Sequence, residues 1–149
     1  MRIPSTLACT LIASIVLFGC GPSNPPAATV ASTEPEFLER FHDAFVSKDI
    51  NAILEFWCWD RVSEESRASV QQSVQKHLEY KVKVVRRTEL VAGRTLEWDR
   101  NAVKYRPNLE PLWNVMVEFD PPAGRTKLYF SLWVGKKDGR YYIAVPAPA

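Results

Sequence analysis

Three side chains in this 149-residue sequence stand out as candidates for acid–base chemistry. Asp60 follows the aromatic cluster Trp57-Cys58-Trp59, His77 falls three residues after Val74 at the edge of a helical stripe, and Tyr105 lies shortly before a loop bracketed by Pro107 and Pro111. A dehydratase- or isomerase-type site needs a carboxylate or imidazole base in a dry cavity, facing a hydroxyl or acid that donates to the developing oxyanion. Asp60, His77 and Tyr105 supply those types, and the enzyme reading requires at least two of them to converge on one buried cavity.

Each also has a plainer reading. Asp60 precedes Ser63 as a turn or helix-end residue would, and His77 suits a partly buried edge position. His42, between Phe41 and Asp43, sits at the boundary of an apolar face. Cys58 between two tryptophans is expected to pack, because reactivity needs a depressed pKa and a nearby base or cation. Two isolated histidines and no cysteine pair give no zinc spacing, so neither metal nor cofactor is expected. No glycine-rich phosphate loop, nucleophile elbow or internal repeat is present. Trp57, Trp59, Tyr129 and Trp133 remain as large rings able either to fill a core or to line a ligand cavity.

Composition narrows the partners. The net charge of +2 falls to about +1 when Arg2 is set aside with the leading segment, and acids and bases are interspersed. The longest basic features are the pairs Arg86-Arg87 and Lys136-Lys137, short of the basic stripe that nucleic acid requires, so no nucleic-acid partner is expected. An apolar content of 46%, with five Trp, seven Phe and five Tyr, can fill the core of one domain.

The chain opens with Met1-Arg2 and an apolar run from Leu7 to Phe18, too short for a membrane span of about twenty residues. It ends at Leu17-Phe18-Gly19-Cys20, which resembles the lipobox of bacterial lipoproteins. That resemblance implies a signal peptide over 1–19, cleavage between Gly19 and Cys20, and a lipid-bearing Cys20 as the first mature residue. Two or three acyl chains, at about 0.8 kcal/mol per buried methylene, anchor durably where one chain does not. Gly21, where the enteric sorting pattern has Asp for inner-membrane retention, implies an outer-membrane lipoprotein facing the periplasm if the cell envelope has two membranes. Cys9 goes with the signal and Cys20 with the lipid, leaving Cys58 without a disulfide partner. Pro22, Pro25-Pro26 and the surrounding Ala, Ser and Thr make 20–34 the lipidated residue and a flexible tether.

A single domain is expected over 35–149. Thr33-Glu34-Pro35-Glu36 reads as a capping box with Pro at the first turn, opening a helix over 35–47 whose apolar face is Phe37, Leu38, Phe41, Ala44 and Phe45. Asp49 caps a short helix carrying Ile50, Ile53, Leu54 and Trp57. Ser63, with Glu64 and Glu65, starts a third marked by Val70, Val74 and Leu78.

After Leu78 the period becomes two. Tyr80, Val82 and Val84 alternate against Lys81 and Lys83, and weaker strand signals cover Leu90-Val91 and Leu96 to Tyr105. Trp113, Val115, Val117 and Phe119 then face one way, as do Leu128, Phe130, Leu132 and Val134 beyond the Asp120–Gly124 turn. Asp138-Gly139 is a tight-turn dipeptide before a last strand with Tyr141, Ile143 and Val145.

Helices followed by antiparallel strands predict an α+β fold, with the N-terminal helices on one face of a curved sheet. The segments Phe41-x-x-Ala44-x-x-x-Lys48-Asp49-Ile50-x-Ala52-Ile53 and Leu132-Trp133-Val134-x-Lys136-x-Asp138-Gly139-x-Tyr141-x-Ile143 resemble the nuclear-transport-factor-2-like, or cystatin-like cone, superfamily over about residues 35–146. The resemblance implies a cone whose open end forms an apolar pocket, serving dehydratases, isomerases, small-ligand binders or silent association domains. With no motif matching a characterised active site, the expectation is a membrane-anchored, non-catalytic domain binding a small apolar ligand or an envelope protein through its aromatic-lined sheet. The competing expectation is the dehydratase or isomerase built on Asp60, His77 and Tyr105, and a third is a homodimer formed through the open sheet face.

Overall fold

The computed structural model describes residues 31–92 and 96–149. Gly19, Cys20 and the tether up to residue 30 lie outside the described residues, as does the Gly93 that divides the two weak strand signals. Three helices come first: α1 (Glu34–Ser47), α2 (Ile50–Leu54) and α3 (Glu64–His77). Asp49 caps α2 by accepting from the amides of Asn51 and Ala52 at 3.0 and 3.2 Å, and the Ser63 hydroxyl accepts from Ser66 N at 3.2 Å to start α3.

The start of α1 departs from the capping-box expectation. Thr33 is its N-cap in an extended conformation, but its side chain makes no cap bond. Glu36 reaches back one residue further, accepting from Ser32 N at 3.1 Å, while its other oxygen holds Arg40 at 2.7 Å. Ala31 is fully buried, and its carbonyl accepts from Tyr141 N at 3.0 Å.

The strands form two sheets. The main one has the order β1-β4-β5-β6, built from β1 (Val82–Thr88), β4 (Trp113–Phe119), β5 (Leu128–Lys137) and β6 (Arg140–Ile143), all antiparallel. A smaller sheet, β2-β3-β7, comprises β2 (Trp98–Arg100), β3 (Val103–Pro107) and β7 (Pro146–Pro148). The fold is therefore an α+β arrangement with antiparallel sheets.

Alternation on β4 is complete: Trp113, Val115, Val117 and Phe119 are buried, and the residues between them are half-buried. With Leu128, Phe130, Leu132 and Val134 they make the inner face, on which α1 lays Phe37, Phe41, Ala44 and Phe45. Phe37, Phe41, Phe56, Trp57 and Trp113 interlock with ring centroids 5.1–6.0 Å apart, mostly edge to face. These rings occupy the space between helix and sheet.

Four strand expectations are corrected by geometry. Val84 does not share a face with Val82: Val82 stands opposite Phe119 and Val84 opposite Glu118, so a β-bulge at Lys83 shifts the alternation and Val85 takes the next inner position, opposite Val117. Leu90-Val91 forms no strand, and Val91 is exposed. The stretch from 96 to 105 is a hairpin rather than one strand, because Asn101 and Ala102 both have positive φ (51° and 62°), the type I′ geometry usually left to glycine. The last strand is split. After Ile143 the chain leaves the main sheet, and Pro146 and Pro148, which have no N–H to donate, lie on an edge of the small one.

One buried polar residue holds this split together. Asn108 donates from Nδ2 to the carbonyls of Cys58 (2.6 Å) and Asp60 (3.0 Å), and its Oδ1 accepts from Val145 N at 2.8 Å. Its own amide donates to Val145 O at 2.9 Å. The loop after β3, the segment after α2 and the crossover into β7 are thereby clamped at one point. Among the described residues no helix is long and apolar enough to cross a membrane.

Candidate functional site

The outer face of the main sheet is built by the residues that alternate with the core. On β5 these are Tyr129, Ser131 and Trp133, and on β4 Asn114, Met116 and Glu118, each paired across the ladder: Glu118 with Tyr129, Met116 with Ser131, Asn114 with Trp133. Tyr129 is 58% exposed. Around Trp133 lie two adjoining grooves of about 230 and 330 Å³ that share Asn114 and Trp133. Leu90, Val91, Ala92 and Leu96 wall one side, and Ala144 and Pro146 the other. The loop before β2 and the start of β7 thus raise two apolar banks on either side of an indole, of a size at the lower end of small-ligand sites.

Further along β5 the same face is closed. A side chain at Gly135 would meet the carbonyl oxygen of Glu110 at 2.7 Å and Cβ of Leu109 at 2.8 Å, so only glycine admits the loop that crosses there.

The three acid–base candidates occupy three different surroundings. Asp60 is exposed and bonded to the ammonium of Lys137. That hydrogen bond, with the attraction between the charges, raises the Lys137 pKa above its ordinary value. A raised lysine pKa contributes stability that is fully present below the unfolded value and lost only as pH rises through the folded one, so this pair is unchanged across the neutral range.

His77 donates from Nδ1 to the carbonyl of Ser73 at 2.7 Å and stacks on Phe130 at 4.6 Å between ring centroids, with Phe119 at 5.4 Å. It is a packed edge residue of α3. Tyr105 lines a polar cleft of about 260 Å³ with Ser63, Ser66 and Asn101, between α3 and the small sheet; neither Asp60 nor His77 lines it. The geometry brings no two of these groups to a common cavity.

The four candidate pocket rings also part company. Trp57 is buried against Phe41, at 6.0 Å, and stacks on Trp59 at 6.4 Å. Trp59 donates from Nε1 to Leu54 O at 3.2 Å and lies beneath the Arg67 guanidinium, 5.4 Å from the ring centroid. Both tryptophans are therefore structural, whereas Tyr129 and Trp133 stand on the outer face. The division follows from strand alternation and from the parallel bridge between Trp57 and Ile143, which turns Trp57 inward.

Cys58 is buried and unpaired, with its amide donating to Ile143 O at 2.9 Å. His42 projects outward from α1, 3.1 Å from Asp43. Among the described residues no three of His, Cys, Asp and Glu gather to hold a metal ion.

Sequence reasoning missed two groups. Asn108 carries no local signal because its side-chain partners lie 37 to 50 residues away. The cations Lys83, Arg86 and Lys127 line a further cavity of about 350 Å³ with Met116 and Tyr129, and the only hint in the sequence was the surplus of basic residues around 81–87. No family model, curated protein or solved structure matches this chain.

Proposed function

We propose that this chain is a bacterial lipoprotein, lipid-modified at Cys20, whose domain serves in the cell envelope as a non-catalytic binding module of the nuclear-transport-factor-2-like type. The observation that carries the binding role is the pair of apolar-walled grooves over Trp133, on a sheet face whose reverse side is filled with interlocking rings. The order of helices before strands, with α1 packed on one face of an antiparallel sheet, supports the superfamily reading. The run Leu17-Phe18-Gly19-Cys20 supports the anchor, with an outer membrane as its seat where the cell has one.

The dispersal of Asp60, His77 and Tyr105 favours binding over catalysis. The ligand class is a small apolar molecule, because Leu90, Val91, Ala92, Leu96 and Pro146 flank an indole.

The two halves of the proposal are tested separately. Cys20→Ser should abolish labelling by a fatty-acid probe and block processing; continued labelling refutes the anchor. The uncharged fluorophore N-phenyl-1-naphthylamine should bind the intact protein saturably. Val91→Asp, at an exposed position on the groove wall, should weaken that binding about ten-fold, the order expected when a charge is set against an apolar contact. Unchanged binding by Val91→Asp contradicts the groove.

A further inference from the structure

We infer that the outer sheet face carries a second binding site, at the end of the sheet away from the Trp133 grooves, that takes a small amphipathic anion: a dissolved molecule with one anionic head on an apolar body. The site goes beyond the apolar-ligand reading because its chemistry is different. Lys83, Arg86 and Lys127 surround a cavity of about 350 Å³ whose apolar lining includes Met116, Pro121 and Tyr129.

The charge in this cavity is unbalanced. Glu118 is its single carboxylate and is already engaged by Arg86, which donates to Oε1 from Nη2 at 2.8 Å and from Nε at 3.2 Å. Three cations against one carboxylate leave an excess of two positive charges, those of Lys83 and Lys127, over an apolar floor. A neutral apolar ligand would leave that charge unanswered, and a small inorganic anion would leave the floor in water. An anionic amphiphile answers both.

The backbone makes a specific adjustment to place one of these cations. In an unbroken strand running back from the inward Val85, Lys83 would point at the helices. The bulge sets Lys83 and Val84 together opposite Glu118, which puts the lysine into the cavity and returns Val82 to the core opposite Phe119. Bulges re-aim side chains in this way at functional positions. Lysine on an edge strand also discourages pairing with another chain, but that role needs no convergence with Arg86, Lys127 and an apolar floor.

Position along the sheet favours a dissolved amphiphile over the anchoring bilayer. The described chain starts at Ala31, bonded to Tyr141, which pairs with Lys136. Leu128 lies eight residues along β5 from Lys136, about 26 Å at the usual strand rise of roughly 3.3 Å per residue. The cavity is thus at the far end of the sheet from the point where the tether enters.

The test is titration of the intact protein with sodium dodecanoate below its micelle concentration at low ionic strength, followed by calorimetry and amide chemical shifts, with dodecanol as the uncharged control. Saturable binding with shifts at Lys83, Met116, Lys127 and Tyr129 is expected. Both dodecanol in place of dodecanoate and the double variant Lys83→Gln/Lys127→Gln should bind about ten-fold more weakly, the order that two solvent-exposed charge pairs supply together. Both lysines are at the surface, and an unchanged melting curve of the double variant confirms that the fold is retained.

Equal binding of dodecanol and dodecanoate, an unaffected double variant, or no binding overturns the inference. Shifts confined to Trp133 and Asn114 overturn it while leaving the proposed apolar groove standing. Dodecanoate binding that persists when N-phenyl-1-naphthylamine fails to bind does the reverse. Capture by phosphatidylglycerol vesicles that depends on the two lysines, without dodecanoate binding, overturns the assignment to a dissolved ligand.

Discussion

The two faces of the main sheet are made by the same strands and treated in opposite ways. On the inner face Trp113, Val115, Val117 and Phe119 meet Phe37, Phe41 and Phe45 of α1 and are closed from water. On the outer face Tyr129, Trp133 and Met116 stand among Asn114, Ser131, Glu118 and Arg86, beneath grooves that none of the described elements fills. The difference separates aromatic residues that fill the core from those that stand on the open face, a distinction that aromatic content alone does not provide. With the space between helix and sheet filled, the grooves of this α+β domain lie on the other side of the sheet.

The comparison can be broken most forcefully from inside. Phe41→Ala removes a ring in contact with Phe37, Phe45, Phe56 and Trp57 and should cost about 3–5 kcal/mol. A small domain has roughly 5–15 kcal/mol in all, so the denaturation midpoint should fall sharply or the variant fail to accumulate. A loss below about 1 kcal/mol would mean that the inner face is not the closed one.

Asn108→Ala should come next, at about 1–3 kcal/mol, because it leaves the carbonyls of Cys58 and Asp60 and the amide of Val145 without their buried partner. Urea unfolding would check it. Release of the clamp should also loosen β7, seen as faster amide exchange at Ala147, which is buried in the native protein. In the opposite direction, Ala102→Gly should stabilise by up to about 1 kcal/mol, since alanine at a φ of 62° carries the strain that glycine avoids. The smallest effect belongs to the outer face: Tyr129→Ser should change stability by no more than about 0.5 kcal/mol, as expected where a ring is mostly in solvent.

The inner face was legible in the sequence because its periodicities are local. The 3.6-residue spacing of Phe37, Phe41, Ala44 and Phe45, and the alternation through Trp113–Phe119 and Leu128–Val134, needed nothing distant to interpret them. The turn at Asp138-Gly139 was equally plain, with φ of 49° and 77° at the two residues. Illegible features depend on a partner strand or on long separation. A bulge at Lys83 exists only relative to β4, so a valine pattern read on its own strand places Val84 on the wrong side. Asn101-Ala102 lacks the glycine that announces a type I′ turn, and the crossover at Ala144-Val145 is set by Asn108 from far along the chain.

The candidate site was half legible. Sequence alone leaves Trp57, Trp59, Tyr129 and Trp133 as rings able either to fill a core or to line a cavity, and their division between the core and the outer face requires the sheet. The grouping of Lys83, Arg86 and Lys127 required the bulge and the return of β5 beside β4. Asp60, His77 and Tyr105 showed the reverse: residue types suited to catalysis, held by Lys137, Ser73 and the α3 cleft at separate places.

The most direct test of the contrast between the two faces is an amide chemical-shift map of the intact protein titrated with N-phenyl-1-naphthylamine. Saturable shifts at Asn114, Ser131, Trp133 and Ala144, with Phe37, Phe41, Phe56 and Trp57 unmoved, are the predicted result. Shifts centred on that inner ring cluster would place the binding cavity between the helices and the sheet and contradict the account.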